Sequence, residues 1–367
     1  MSSNSTMPSG FVEGSWWYYA PSKVAPIIFA TLFMISGSWH LYQNIKYKCW
    51  RTTPLFPIAA LIFAVGYVMR EVAAFHYDNL SYYMASSIIL LCSPPVYEAA
   101  NVVLLGRFLY YVPYEAPLHP WRLMVTFGAL QSALDPINAN GAARATTPLA
   151  GSATQLSGRI LLDVSLGLQL FSAIAFIAVA LRFQYNCYRA DVLPDKLRNS
   201  LRVLYVSCAL ISIRTIYRAV EWFETTDNNP SDPNSFPPVL RHEAYFYVFE
   251  ATVMLLNSFL LNIWHPTRLL PQNYRVFLAP NGVTEMEGKG MLTKDPRSGW
   301  LKIVDPFDLY GLFTKRDQKI NLWAEQTEVA GPSSTSGASA SSSDGASDLE
   351  KQGWGNWQKE DDLVRLA

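Results

Sequence analysis

Charge is scarce in this 367-residue chain: Asp, Glu, Lys and Arg make up 16% of it, against about 25% in ordinary soluble domains. The 29 basic and 29 acidic residues cancel, and no basic block stands out, which argues against a nucleic-acid surface. The four cysteines, Cys49, Cys92, Cys187 and Cys208, are scattered, with no paired spacing for a metal or a redox couple. No G-x-x-x-x-G-K-[ST] loop occurs, which argues against ATP hydrolysis in this chain. There is no His/Cys cluster, and no nucleophile has a recognisable base partner, so no metal, cofactor or enzymatic activity is expected. The N-terminal stretch MSSNSTMPSGFVEGSWWYY lacks a basic region followed by an apolar run, so no cleaved signal peptide is expected.

What the chain has instead is apolar length. Half of it is hydrophobic and 14% is aromatic. Seven stretches approach the roughly 20 residues that cross a bilayer: Val24–Ile45, Pro54–Phe75, Tyr83–Tyr111, Trp121–Asn138, Arg159–Phe183, Leu201–Phe223 and His242–Trp264. The fourth is the weakest, since Asp135-Pro136 interrupts it, and six spans remain if it fails. Pro94-Pro95 should kink the third. A Gly, Ala, Ser and Thr-rich connection follows the fourth, from Ala139 to Ser157. The fold expected is an all-α polytopic membrane protein. Lys46, Lys48 and Arg51 mark the first connection, and Arg182, Arg189, Lys196, Arg198 and Arg202 the fifth. The second has no Lys or Arg and the sixth only Arg241; Arg144 and Arg159 in the fourth run against the trend. That balance predicts an external N-terminus and a cytosolic C-terminus. Residues 1–20 are then an external segment and 21–266 the seven-helix domain. Residues 267–367 are a cytosolic tail, largely disordered, with low complexity over 333–347. Trp16, Trp17, Tyr18 and Tyr19 fit an interfacial aromatic belt.

The charges inside these spans are the informative exceptions. Within LRVLYVSCALISIRTIYRAVEWFE, Ser207, Arg214, Arg218 and Glu221 fall on one helical stripe, with Tyr217 beside it. An arginine at a helix centre costs about 2.5–3.5 kcal/mol to insert, so such residues need partners. Arg70 and Glu71 end the second span, Asp163 starts the fifth, and Glu243 and Glu250 start the seventh. On the expected orientation these eight share the outer half of the bundle, three basic and five acidic, with Glu98 nearer the middle. Two readings stand. The charges either close into a salt-bridge network, or line a hydrated cavity whose acidic surplus meets a cationic amphiphile. His40, alone on its helix, is expected to be a hydrogen-bonded interface residue. The seventh span has no lysine, which excludes a retinal Schiff base there.

Several stretches carry a resemblance: YYAPSKVAPIIF, VGYVMRE, SPPVYEAANVVLLGR, INANGA, GLQLFSAIAF, IRTIYRAVEW, HEAYFYVFEATVM and a closing HP. In this order, over about residues 18 to 266, the sequence resembles the fungal RTA-like family of lipid-translocating exporters. The resemblance implies a seven-helix fungal membrane protein; the plasma membrane is the expected location, with other endomembranes as the alternative. It implies a part in moving lipids, especially sphingoid long-chain bases, and in resistance to toxic amphiphiles. It assigns family polar positions to Arg70, Glu71, Arg107, Arg214, Arg218, Glu221, Glu243 and Glu250, the last with glutamate where aspartate is usual. One departure is Gln131, where the family commonly has an aspartate; Asp135, a turn later, is its candidate substitute. Two functions follow. A translocator would pair an ammonium head with Glu250, Glu243 or Glu98, with Arg214 and Arg218 holding the acids or contacting an anionic head. A sensor would signal lipid or drug stress through its cytosolic loops and tail.

Overall fold

Seven long helices succeed one another: α1 (Ala25–Tyr47), α2 (Leu55–Phe75), α3 (Leu80–Tyr111), α4 (Pro120–Thr146), α5 (Ser152–Arg189), α6 (Asp195–Thr226) and α7 (Glu243–Ile263). The computed structural model describes residues 15–17, 19–76, 78–146, 152–226, 238–271, 273–279, 282, 284–288 and 290. Most of the N-terminal segment and the low-complexity stretch 333–347 lie outside the described residues. Each helix packs on the next in sequence, α7 closes against both α1 and α6, and α3 also reaches α6. Six of the seven are long and apolar enough to cross a membrane; α4 is the exception.

The helix surfaces are apolar where those of a soluble protein would be polar, and polar side chains join the apolar ones inside. Ile27, Ile35, Leu61, Ile160, Phe171 and Ile174 stand exposed on the helix surfaces, whereas Ser36, His40, Asn44, Ser258 and Asn262 are fully buried. Apolar side chains outward and polar ones inward is the arrangement a lipid solvent selects, because hydrocarbon offers no partner to a hydroxyl or an amide. The chain is an all-α integral membrane protein. Its inner polar residues act as glue between helices. Ser258 of α7 meets Ser36 of α1 at 2.6 Å and accepts from Tyr97 of α3 at 2.7 Å. His40 pairs with the Ser258 carbonyl at 3.2 Å, as an interface histidine should.

Proline ends neither of the two long helices that carry it internally. Pro94 and Pro95 remove the N–H groups that would bond the carbonyls of Leu90 and Leu91, yet α3 is continuous from Leu80 to Tyr111. Pro136 likewise does not end α4. The helix runs on to Thr146, so most of the expected connection 139–157 is helical, with α5 starting at Ser152. Alanine-rich sequence sustains the helix there, and Gly141 lets its backbone press on α5. A Cβ at Gly141 would lie 3.0 Å from the Leu162 nitrogen and 3.1 Å from the Gly158 carbonyl. Such close approach through a small residue is how membrane helices associate without a hydrophobic driving force.

Beyond α7 the described chain continues as a turn, Pro266–Leu269, and an antiparallel hairpin of β1 (Val276–Leu278) and β2 (Glu285–Glu287). Arg107 anchors it. This buried side chain donates to the carbonyls of Val276 at 3.0 Å and Asn273 at 3.1 Å. Tyr110 adds a bond to the Arg275 carbonyl, and Tyr111 donates to Glu285. The described part of the segment after 266 is therefore folded onto the end of α3.

Candidate functional site

The end of the bundle where α1, α3, α5 and α7 begin collects the charges. α6 supplies Arg214, Tyr217, Arg218 and Glu221 at helical spacings of three and four, which brings them to one side. α7 supplies Glu243, Phe246 and Glu250, and α2 supplies Arg70. Glu250 sits within a π-helical segment, Tyr247–Thr252, a wide turn often found where a side chain must be re-aimed.

Glu250 is fully buried and receives two arginines. Arg214 Nε lies 3.0 Å from both of its oxygens, and Arg218 Nε donates to Oε2 at 2.7 Å. Arg218 also reaches Glu221 through Nη1 at 2.6 Å, while the Tyr217 hydroxyl donates to the other oxygen of Glu221 at 3.2 Å. A second pair stands beside this one. Arg70 Nη2 donates to Glu243 at 2.8 Å and to the Tyr19 hydroxyl at 3.1 Å. The Ser22 amide fastens the other Glu243 oxygen at 2.7 Å, so the N-terminal segment is stitched to α2 and α7. Burial pushes the Tyr19 phenol up to about 12, with Arg70 opposing the rise, so it stays protonated. Phe246 lies between the pairs, 4.1 Å from the Arg70 guanidinium and 5.5 Å from that of Arg218.

A cavity of about 250 Å³ opens on this cluster. Arg70, Arg214, Arg218 and Glu221 line its polar side, and Met84, Ile88 and Leu91 of α3 with Leu162 and Leu166 of α5 its apolar side. Trp16, Trp17 and Tyr19 complete the wall, so the aromatic run expected at the interface also faces the cavity.

Three residues expected in this group are elsewhere. Asp163 is exposed on α5 and accepts from the Trp222 indole at 3.1 Å. Glu71 is half-buried and makes none of these pairs, because the next residue on a helix lies about 100° round from Arg70. Glu98 accepts a hydrogen bond from Gln131 and lines a separate cavity of about 40 Å³ with Asn101, Gln169 and Thr215. Among the described residues the ion pairs of this cluster set Arg70, Arg214 and Arg218 against Glu221, Glu243 and Glu250, without the expected acidic surplus. Arg107, assigned to the same polar set by resemblance, is at the opposite end of the bundle, holding the hairpin. Sequence reasoning missed Phe246, Ser22 and the cavity-facing role of Tyr19, for which no local pattern offers a signal.

Comparison with known proteins follows the membrane portion. A family described as RTA1 like protein matches residues 56–273. A Leptosphaeria maculans protein named lipid-translocating exporter-like protein RTA1 is 37% identical over 333 residues, 87% of this chain. The chain spans 63% of that relative's length. The probable lipid transporter atnI of Emericella nidulans is 25% identical, over 70% of this chain and 69% of its own. Protoporphyrin uptake protein 1 of Saccharomyces cerevisiae is 24% identical, over 69% of this chain and 91% of its own. No solved structure matches.

Proposed function

The chain belongs to the RTA1 like protein family, and on that premise we propose that it binds membrane lipids or lipid-like amphiphiles and carries them across the bilayer. The observation that carries this reading is the cavity of about 250 Å³, which is lined by charged side chains and by apolar ones. An amphiphile needs both surfaces at once: ionic partners for a head that leaves water, and a hydrocarbon wall for the chain. The names of the relatives, a lipid-translocating exporter-like protein and a probable lipid transporter, agree with it. Sphingoid long-chain bases are the class implied by the sequence resemblance. The Lys and Arg distribution supports an external N-terminus and a cytosolic C-terminus, and the plasma membrane is the proposed location.

Reconstitution tests the proposal. Purified protein in liposomes should speed the movement of fluorescent lipid between leaflets, read as loss of the fraction protected from a membrane-impermeant quencher. A protein that only senses lipid stress, the alternative function, would bind such a probe and leave its transbilayer rate at that of empty liposomes.

A further inference from the structure

The cavity wall has a charge that the cluster as a whole does not. Arg70, Arg214 and Arg218 line it, and Glu221 is the one carboxylate among its described lining residues. Glu250 and Glu243 pair with the arginines from outside that lining. A ligand entering the cavity therefore meets an excess of guanidinium.

Spare donor capacity sits on the same side chains. Arg214 is 4% exposed, and its Nη2 has no hydrogen-bond partner among the described residues. Arg70 is 3% exposed and its Nε is in the same position. Both atoms are fully shielded in this packing, so they meet an acceptor only when their side chains turn into the cavity, and the cost of leaving buried charged donors unmet favours that turn. Guanidinium forks match the oxygens of phosphate and carboxylate, and an ammonium has no acceptor to offer them. The volume points the same way: about 250 Å³ lies below the roughly 300–1,000 Å³ of sites that enclose a whole drug-sized ligand, so it suits a head group. The chain would lie along Met84, Ile88 and Leu91.

Resting on the lipid reading above, we infer that this site selects an amphiphile with an oxyanion head, phosphate or carboxylate, received by Arg214 and Arg70. Full-length protein in phosphatidylcholine nanodiscs tests it, against empty nanodiscs. Four probes share one fluorescent acyl chain and end in a phosphate monoester, a carboxylate, a primary ammonium or a hydroxyl. An oxyanion probe should bind at least about tenfold more tightly than the hydroxyl probe, a factor of about 1.4 kcal/mol. The ammonium probe should gain nothing over the hydroxyl. The ranking of phosphate against carboxylate then identifies the head. Arg214→Gln should bring oxyanion binding down to the hydroxyl level, and Arg214→Lys should retain part of the gain. If Arg214→Gln does not fold, the double variant Arg214→Gln/Glu250→Gln, which removes both charges of the pair, serves in its place.

The inference is overturned if the ammonium probe binds best, or if the oxyanion preference survives loss of the Arg214 charge. Tight ammonium binding alone would leave the lipid reading standing while removing this one. Binding of no probe beyond empty nanodiscs would remove both.

Discussion

Arg214 spans the Glu250 carboxylate, with its Nε 3.0 Å from each oxygen, in a place where the glutamate has no exposure at all. Arg218, one turn along α6, adds a 2.7 Å bond to the same carboxylate. Glu250 is thus the hub on which two cations of one helix converge, and its removal should be felt more than that of either arginine.

Replacing Glu250 with Ala strands Arg214 in a buried site, and breaking such a pair costs about 3–5 kcal/mol. Arg218→Ala should cost less, because Glu250 keeps Arg214 and the Arg218 side chain is already 22% exposed. Thermal unfolding in detergent should order the variants in that way. Adding Arg214→Met to Glu250→Ala should recover part of the loss, since the stranded charge goes with its partner.

The α4–α5 contact offers a test free of charge. Gly141→Ala places a methyl group against backbone atoms 3.0 and 3.1 Å away, and such overpacking typically costs about 1–3 kcal/mol. Gly128 and Gly167 have nothing within 4 Å of a Cβ, so alanine there should be neutral or stabilising by about 0.5–1 kcal/mol. A melting temperature that falls only for Gly141→Ala is the expected pattern.

Arg107→Ala should release the hairpin. The side chain satisfies the carbonyls of Val276 and Asn273, and hydrogen bonds from a charged group contribute about 1.5–3 kcal/mol each. Hydrogen exchange in β1 and β2 should accelerate while the amides of α1 and α2 keep their protection. Arg107→Lys should rescue poorly, because one ammonium does not reproduce the planar fork.

Orientation can be read with glycans. Asn4-Ser5-Thr6 and Asn79-Leu80-Ser81 are acceptor sequences on the side expected to be external. Asn79 caps α3, its side chain accepting from the Ser81 amide at 2.9 Å, close to where the membrane begins. If either site is modified, Asn4 should be the one. A glycan on a site engineered between α5 and α6 would reverse the orientation.

The order and number of long helices, their membrane character and the stripe from Arg214 to Glu221 were legible in the amino-acid sequence by itself. All three depend on local hydropathy and on the 3.6-residue period, which a sequence carries directly. The stretch around Asp135-Pro136 misled because breaker residues report a local cost. The packing of Gly141 against Gly158 and Leu162, which helps hold α4 to α5, is a contact between segments.

Pairing was decided only in three dimensions. Charge counting along the spans placed Asp163 and Glu71 with the arginines, and rotation about the helix axis removed them. Apolar residues surround α5 on every face, so no amphipathic pattern could say which way Asp163 would turn. The bond from the Ser22 amide to Glu243 joins residues 221 positions apart, and Arg107 grips carbonyls 166 and 169 positions away. Depth in the membrane follows from sequence because it is a count of residues from a helix end. The azimuth of each side chain, and so the guanidinium-rich wall of the cavity, depends on how seven helices settle against one another.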